Sequence, residues 1–345
     1  MGLRPVALLE NGWYSLADHV QQRAYWLTHR RSAQAVPSPG SGGHAPLLGP
    51  RPVVIMPTAT AGPGAPPADL TLPGSWPQAP DEGVWLPAGQ PVTGQAAMAR
   101  TFVLPDPQRP YARVDLVWIN SNLARLHFAA GTQNRTLDSG SPGAGEVPLA
   151  VQPSLLAAFN GGFQRLANQY GSAGFRVAGQ WFTLPTPAMA TVAIAPSGRV
   201  TLGAWGSEIP TTPLPTDLRQ NLPLILDHGR ISPQIDDGAA WGTTVNNTVR
   251  VWRSGLGQMA DGALVYAAGT PLTARGLAEV LQAAGAQQAM ELDINSYWVT
   301  FNFFSATGPP AAPVRGEKLM PAMTRSATRY LTPDTRDFFY LTAVG

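Results

Sequence analysis

The chain has no cysteine, few charges and no long apolar run, and each shortage removes a class of explanation. Without cysteine there is no disulfide framework, no thiolate nucleophile and no cysteine-based zinc site. Charged residues make up 13% of the 345, against roughly 25% in an average globular protein. The net charge is +2 and no basic run exceeds Arg30-Arg31. The pI of 9.1 therefore reflects a slight basic excess and not a basic face, which sets nucleic acid aside as a partner. No apolar stretch approaches the ~18 residues of a membrane span, so none is expected in this chain. The N-terminus shows no charged segment followed by an apolar one, so no signal peptide is visible. Familiar catalytic signatures are missing too: GxSxG, HExxH, GxxxxGK, and GxGxxG after a strand. The five histidines, His19, His29, His44, His127 and His228, are scattered with no metal-ligand spacing. A Ser-His-Asp triad needs no proximity in sequence, but nothing points to one.

Glycine and proline are what the chain has in excess, at 36 and 35 residues. Between Pro37 and Pro110, 17 of 74 residues are proline, which argues against regular structure there. Trp76, Trp85, Val54, Ile55 and Leu86 lie in the same stretch, and free linkers seldom carry such residues. The expected organisation is an N-terminal helical segment over 1–35, a partly ordered Pro/Gly-rich arm over 36–110, and one domain over 111–345. Within the first, Ser15 to about His29 reads as an amphipathic helix, with Ser15 as cap and Leu16, Val20, Ala24 and Leu27 at helical spacing.

Beyond the arm the apolar period becomes two. Tyr111 to Ile119 and Leu123 to Ala130 read as strands joined in a hairpin through Asn120-Ser121-Asn122. Thr191 to Ala195 and Arg199 to Trp205 repeat the device around Pro196-Ser197-Gly198. Leu222 to Leu226 reads as a short strand ending at Asp227, and Ala263 to Ala268 as another. Thr273 to Ala284 is the best helix, with Thr273 as cap, Leu277, Val280, Leu281 and Ala284 as its stripe, and Gly285 at its C′ position. A strand through Glu291 and Asp293 follows. Strand, helix, strand near residues 263–294 is a crossover unit, so its two strands are predicted to be parallel. The fold class is α+β, with a mixed, mostly antiparallel sheet and few helices.

Chemistry is suggested first by Glu291 and Asp293. They sit at i and i+2 where an apolar strand ends, so a strand would point both the same way. Phe159-Asn160-Gly161-Gly162-Phe163 follows an apolar run, and adjacent glycines can bring backbone N–H groups close to a ligand oxygen, with Asn160 as a further donor; taken alone, the motif reads first as an ordinary tight turn. Arg219-Gln220-Asn221 precedes the Leu222 run and Asp227 closes it, as a solvated loop and turn or as site residues. Arg253, between Trp252 and a glycine-rich bend, is the best anion candidate, because its planar fork matches phosphate; a structural salt bridge is the alternative.

In order, these segments resemble the phosphodiester glycosidase family. The family's Asn-x-Gly-Phe turn is similar to Asn160-Gly161-Gly162-Phe163, and its Pro-x-Leu strand to Pro223-Leu224-Ile225-Leu226-Asp227-His228-Gly229. Its arginine strand and Asp-Gly turn are similar to Arg253 to Gly257 and Asp261-Gly262, and its Leu-Asp-Gly-Gly-Gly-Ser signature falls at Leu292-Asp293. The resemblance spans about Ala158 to Val299. Two positions depart from it: Ile294-Asn295-Ser296-Tyr297 replaces the glycine loop, and Tyr266-Ala267-Ala268-Gly269 lacks an Asp before its Gly. The resemblance implies a hydrolase of sugar phosphodiesters acting on envelope or extracellular glycan, located outside the cell or at its surface. Its catalytic carboxyls would be Asp293 with Glu291 or Asp227. Substrate would be held by Arg253, Asn160, Gly161, Gly162, Arg219, Asn221, Asn295 and Tyr297, with Tyr297 and Trp298 stacking on the sugar. Asp227, Glu291 and Asp293 could hold a divalent cation such as Ca²⁺ or Mg²⁺ through their oxygens, which their spacing does not decide. The alternative is a non-catalytic envelope polysaccharide-binding or structural protein that keeps the fold. It is motivated by the lost glycine loop and by the aromatics from Tyr297 to Phe304.

Overall fold

The computed structural model describes residues 66–344 apart from 165–172, 243–248 and 307–313. The expected helix from Ser15 to His29 lies outside the described residues. By contacts the chain divides into Met1–Thr60 and Ala61–Gly345, and the fold described here belongs to the second unit.

Three sheets make that unit. The largest runs in the order β1 (Leu86–Pro87), β2 (Met98–Val103), β3 (Arg113–Ile119), β14 (Leu264–Leu272), β13 (Val251–Met259), β15 (Ala286–Glu291), β11 (Leu226–Asp227), β12 (Arg230–Ile231). The second runs β7 (Gln180–Thr183), β6 (Phe175–Val177), β10 (Asp217–Gln220), β8 (Ala190–Ile194), β9 (Val200–Ala204). The third runs β17 (Val314–Lys318), β16 (Phe301–Ala306), β5 (Leu155–Asn160), β18 (Phe338–Ala343), β4 (Ala124–Ala129). Neighbouring strands are antiparallel throughout. The architecture is sheet-dominated α+β.

The helix of the crossover, α1 (Ala274–Ala283), forms where the sequence places it. The Thr273 hydroxyl accepts from the Gly276 N–H at 2.9 Å, and Gly285 takes φ +89°, a left-handed conformation that glycine adopts without strain. Its apolar stripe covers β13, β14 and β15. A Cβ added at Gly255 of β13 would lie 3.1 Å from both Leu277 and Leu281, so glycine there lets helix and sheet approach. β14 and β15 do run parallel, but they are not neighbours. β13 lies between them, antiparallel to each.

Two expectations fail. β3 and β4 do not form a hairpin: β3 pairs with β2 and β14, while β4 pairs with β18 in another sheet. All of β3 after Arg113 is buried; β2 and β14 occupy both its edges, so the turn at residues 120–122 carries the chain from one sheet to another. The run Leu222 to Leu226 is not a strand either, and only Leu226 pairs, with Ala289 and Ile231. Pro223 lacks the N–H a ladder needs, and the run serves as a buried connection through Leu222, Ile225 and Leu226.

Strands begin earlier than residue 111. β1 and β2 belong to the main sheet, and Trp76 and Trp85 pack in its core beside Trp118, Leu277 and Leu281. The third sheet meets the first through aromatic rings. Phe159 stacks on Phe301 at 5.5 Å and lies 5.3 Å from Tyr266 of β14. Phe301, Phe303 and Phe304 are buried, so these aromatics are core and not a glycan platform.

Candidate active site

All three sheets end at one place. β5 delivers Asn160, β10 delivers Arg219 and Gln220, β15 delivers Glu291, and the start of β18 brings Arg336 and Asp337 beside them. In a chain with so little charge, four buried arginines, Arg219, Arg253, Arg329 and Arg336, and four buried carboxylates, Glu291, Asp293, Asp334 and Asp337, meet around this junction.

Asp293 lies just past β15, buried, and each of its oxygens is occupied. Oδ2 accepts from Arg336 Nη2 at 2.9 Å; Oδ1 accepts from the backbone N–H of Ile294 at 2.8 Å and of Asn295 at 3.0 Å. Burial pushes its carboxyl above the usual aspartate range, against the charge of Arg336 and the two backbone donors. Arg336 also donates to the Gly162 carbonyl at 3.3 Å and lies 4.6 Å from the Trp298 ring.

Glu291 faces a different arginine. Arg253 Nη1 donates to its Oε1 in a short contact, and both side chains are buried. Burial raises the Glu291 carboxyl, opposed by Arg253, while the charge of Asp293 raises it further. The two acids therefore feel each other, yet each has its own cation.

Arg253 is not poised for phosphate. Besides Glu291, it donates to the carbonyls of Leu272 (3.1 Å), Trp241 (3.1 Å) and Val249 (3.3 Å), so protein groups consume its fork. Arg219 is similarly engaged. It pairs with Asp337 at 2.8 Å and donates to the carbonyls of Phe163 (2.7 Å) and Gln220. Asn221 donates to the carbonyls of Glu291 and Leu292 at 2.6 and 2.9 Å, and accepts from Phe163 N–H at 3.2 Å. Asn160 is saturated: its amide nitrogen donates to Ser254 Oγ and the Gly161 carbonyl, and its oxygen accepts from Tyr266 Oη and Thr300 N–H. These four side chains, expected to touch substrate, instead lock the strand ends together.

The glycine pair has a comparable reason. A Cβ on Gly161 would lie 2.0 Å from Asp337 Oδ2, and one on Gly162 would lie 3.1 Å from the Asn221 amide. Gly161 N–H donates to the Asp337 carbonyl at 3.1 Å. Glycine is needed here because side chains of the site press on this turn.

Asp227 is not brought to the buried acids. It is exposed, bonded to His228 at 2.6 Å and to Gln288 at 3.1 Å. Gln288 lies three residues from Glu291 along β15, about 10 Å at the usual strand rise. Its partners instead are Glu208 and His228, whose ligand-type atoms lie within 4.8 Å of one another and of its own. The cation set Asp227, Glu291 and Asp293 is therefore not assembled.

Asn295 and Tyr297 line the partly open side. Asn295 Oδ1 accepts from Tyr297 N–H at 2.8 Å, and Tyr297, a residue 41% exposed, meets the Trp298 ring edge-on at 4.9 Å. Sequence reasoning missed the segment that completes the cluster. Arg325, Arg329 and Arg336 all lie within 5.5 Å of the Trp298 ring, while Asp334 and Asp337 pair with arginines. Five of the 13 residues 325–337 are charged, a density that could have flagged it.

The phosphodiester glycosidase family model matches residues 154–293. Over that stretch the chain is similar to the phosphodiester glycosidase family. The matched segment ends on Asp293 and contains Asn160, Arg219, Arg253 and Glu291, whereas the arginines of 325–337 lie beyond it. No curated protein matches the chain. Among solved structures, the zebrafish N-acetylglucosamine-1-phosphodiester alpha-N-acetylglucosaminidase catalytic domain, auto-inhibited by its pro-peptide, is 13% identical with a TM-score of 0.44, over 75% of this chain and 88% of that one. A hypothetical protein from Synechocystis is 13% identical with a TM-score of 0.46, over 75% of this chain and 64% of that one. No helix among the described residues is long and apolar enough to cross a membrane.

Proposed function

We propose that the protein hydrolyses the bond between the anomeric carbon of a sugar and a phosphodiester, on envelope or extracellular glycan outside the cell, with Asp293 as the reacting carboxyl. One observation carries this reading. Asp293 closes the family segment as a buried carboxyl, raised by burial and oriented by Arg336 and two backbone N–H groups. Glycoside cleavage commonly uses one carboxyl to assist the leaving group and another to attack or activate water. A phosphodiester leaves readily without protonation, so a single carboxylate suffices and surplus positive charge takes over the second role. Asn160, Arg219, Asn221 and the Arg253–Glu291 pair support the site from behind, while Asn295 and Tyr297 meet the sugar.

The test is product analysis on an α-N-acetylglucosamine 1-phosphate methyl diester, wild type beside Asp293→Asn. Free sugar from the wild type, with a rate about 10²- to 10⁴-fold lower in the variant, is the expected result. Equal rates remove Asp293 from the chemistry. The complete internal pairing of Asn160 and Arg253 favours a second reading, a glycan-binding protein that keeps the fold. Glycan binding by a folded wild type that hydrolyses no phosphodiester selects that reading.

A further inference from the structure

Trp298 is ringed by guanidinium groups that outnumber their carboxylates. Arg336 lies 4.6 Å from its ring, Arg329 5.1 Å and Arg325 5.5 Å. Arg336 is matched by Asp293 at 2.9 Å. Arg329 is matched by Asp334 through both forks, at 2.7 and 3.1 Å. Arg325 has only a share in Asp334 Oδ2, at 2.9 Å, an oxygen that Arg329 already uses. Three cations thus face two anions.

The unmatched charge sits at the open side. The Arg325 side chain is 26% exposed, against 1% for Arg329 and 9% for Arg336. Its guanidinium also lies 4.6 Å over the ring of exposed Tyr297. Stacking orients a planar fork without consuming its N–H groups. Only Nη2 donates to another described residue, which leaves the rest of the fork for an incoming anion.

We propose that Arg325, held on Tyr297 and Trp298, is the anion anchor of the site and selects substrates whose leaving group is a phosphate over those with a neutral aglycone. This rests on the hydrolase reading above. An Arg fork takes two phosphate oxygens at once, and Trp298 connects it to Arg336 and thereby to Asp293. The phosphate and the sugar's anomeric carbon are then held against neighbouring parts of one cluster. Arg325 touches the leaving group, whereas Arg329 holds Asp334 and acts on substrate only through it.

The experiment compares wild type, Arg325→Met and Arg325→Lys on the α-N-acetylglucosamine 1-phosphate methyl diester and on a neutral aryl glycoside of the same sugar. Arg325→Met is expected to raise KM for the diester about 10- to 100-fold, at least tenfold more than for the neutral glycoside. Arg325→Lys recovers part of the loss, and the salt dependence of diester KM weakens in Arg325→Met. A diester KM within twofold of wild type overturns the proposal, as does an equal loss on both substrates, which marks a structural role. If the wild type hydrolyses neither compound, the hydrolase reading falls, and the anchor is judged by calorimetric binding of inorganic phosphate and of the diester. Weaker binding by Arg325→Met upholds it there, and unchanged or absent binding overturns it. Arg329 retains Asp334 in these variants, and circular dichroism checks that the fold is kept.

Discussion

Gly161→Ala tests the packing of the site more directly than any change to a charged group. Gly161 has no left-handed φ, so an alanine meets no conformational objection and only space opposes it. Its Cβ would lie 2.0 Å from Asp337 Oδ2 and 2.8 Å from both Cγ and the carbonyl oxygen of Asp337. That carboxylate cannot simply swing away, because Arg219 holds it in a buried pair. Overpacking alone costs about 1–3 kcal/mol, and separating a buried ion pair costs about 3–5 kcal/mol. A loss of roughly 3 kcal/mol follows if the backbone gives before the pair breaks, and roughly 5 if it does not. At about 2–4 °C per kcal/mol for a unit of this size, the smaller figure lowers Tm by roughly 6–12 °C. Gly162→Ala is the internal control. Its Cβ meets the Asn221 side chain at 3.1 Å, so it should cost well under half as much. Urea unfolding followed by circular dichroism measures both. A Gly161→Ala protein within about 0.5 kcal/mol of wild type, a change ordinary at surface positions, refutes the reasoning, as does a larger loss from Gly162→Ala.

Two further outcomes follow from the fold and the electrostatics. Thr273→Ala removes the hydroxyl that caps α1 and should cost about 1 kcal/mol by urea unfolding without moving activity; a loss under ~0.3 kcal/mol means the cap is idle. Glu291 has its pKa raised by burial, so its contribution to stability is fully present below about pH 4 and is lost as pH rises through the folded pKa. Measured from pH 4 to pH 8, the wild type should lose stability relative to Glu291→Gln, and a difference flat with pH shows that Arg253 cancels the burial completely.

The sequence disclosed local features and hid the long-range ones. α1 was legible from Thr273, its apolar stripe and Gly285, because cap, period and terminator lie within 13 residues. The hairpin of β8 and β9 was legible from Pro196-Ser197-Gly198 for the same reason. The false hairpin of β3 and β4 shows the limit: the turn residues are genuine, but the partners are distant strands, β14 for β3 and β18 for β4. Glu291 and Asp293 stood out because carboxylates are scarce in this chain. Their partners did not, since Arg253 lies 38 residues from Glu291 and Arg336 lies 43 from Asp293. Gly161-Gly162 reads in the sequence as a turn that brings backbone N–H groups to a ligand oxygen; the group that presses on Gly161 is Asp337, more than 170 positions away in the chain.

The position of β18 has a consequence for how the protein comes to life. Its six residues fill the slot between β4 and β5, pairing Leu341 with Leu126 on one side and Ala157 on the other. Until they are synthesised, β4 and β5 have no common neighbour, and Arg336 and Asp337 have not reached Asp293 and Arg219. Contacts this distant in sequence form slowly. A growing chain can therefore complete its second sheet before β18 has emerged, yet the ion pairs of Asp293 with Arg336 and of Arg219 with Asp337 form only afterwards.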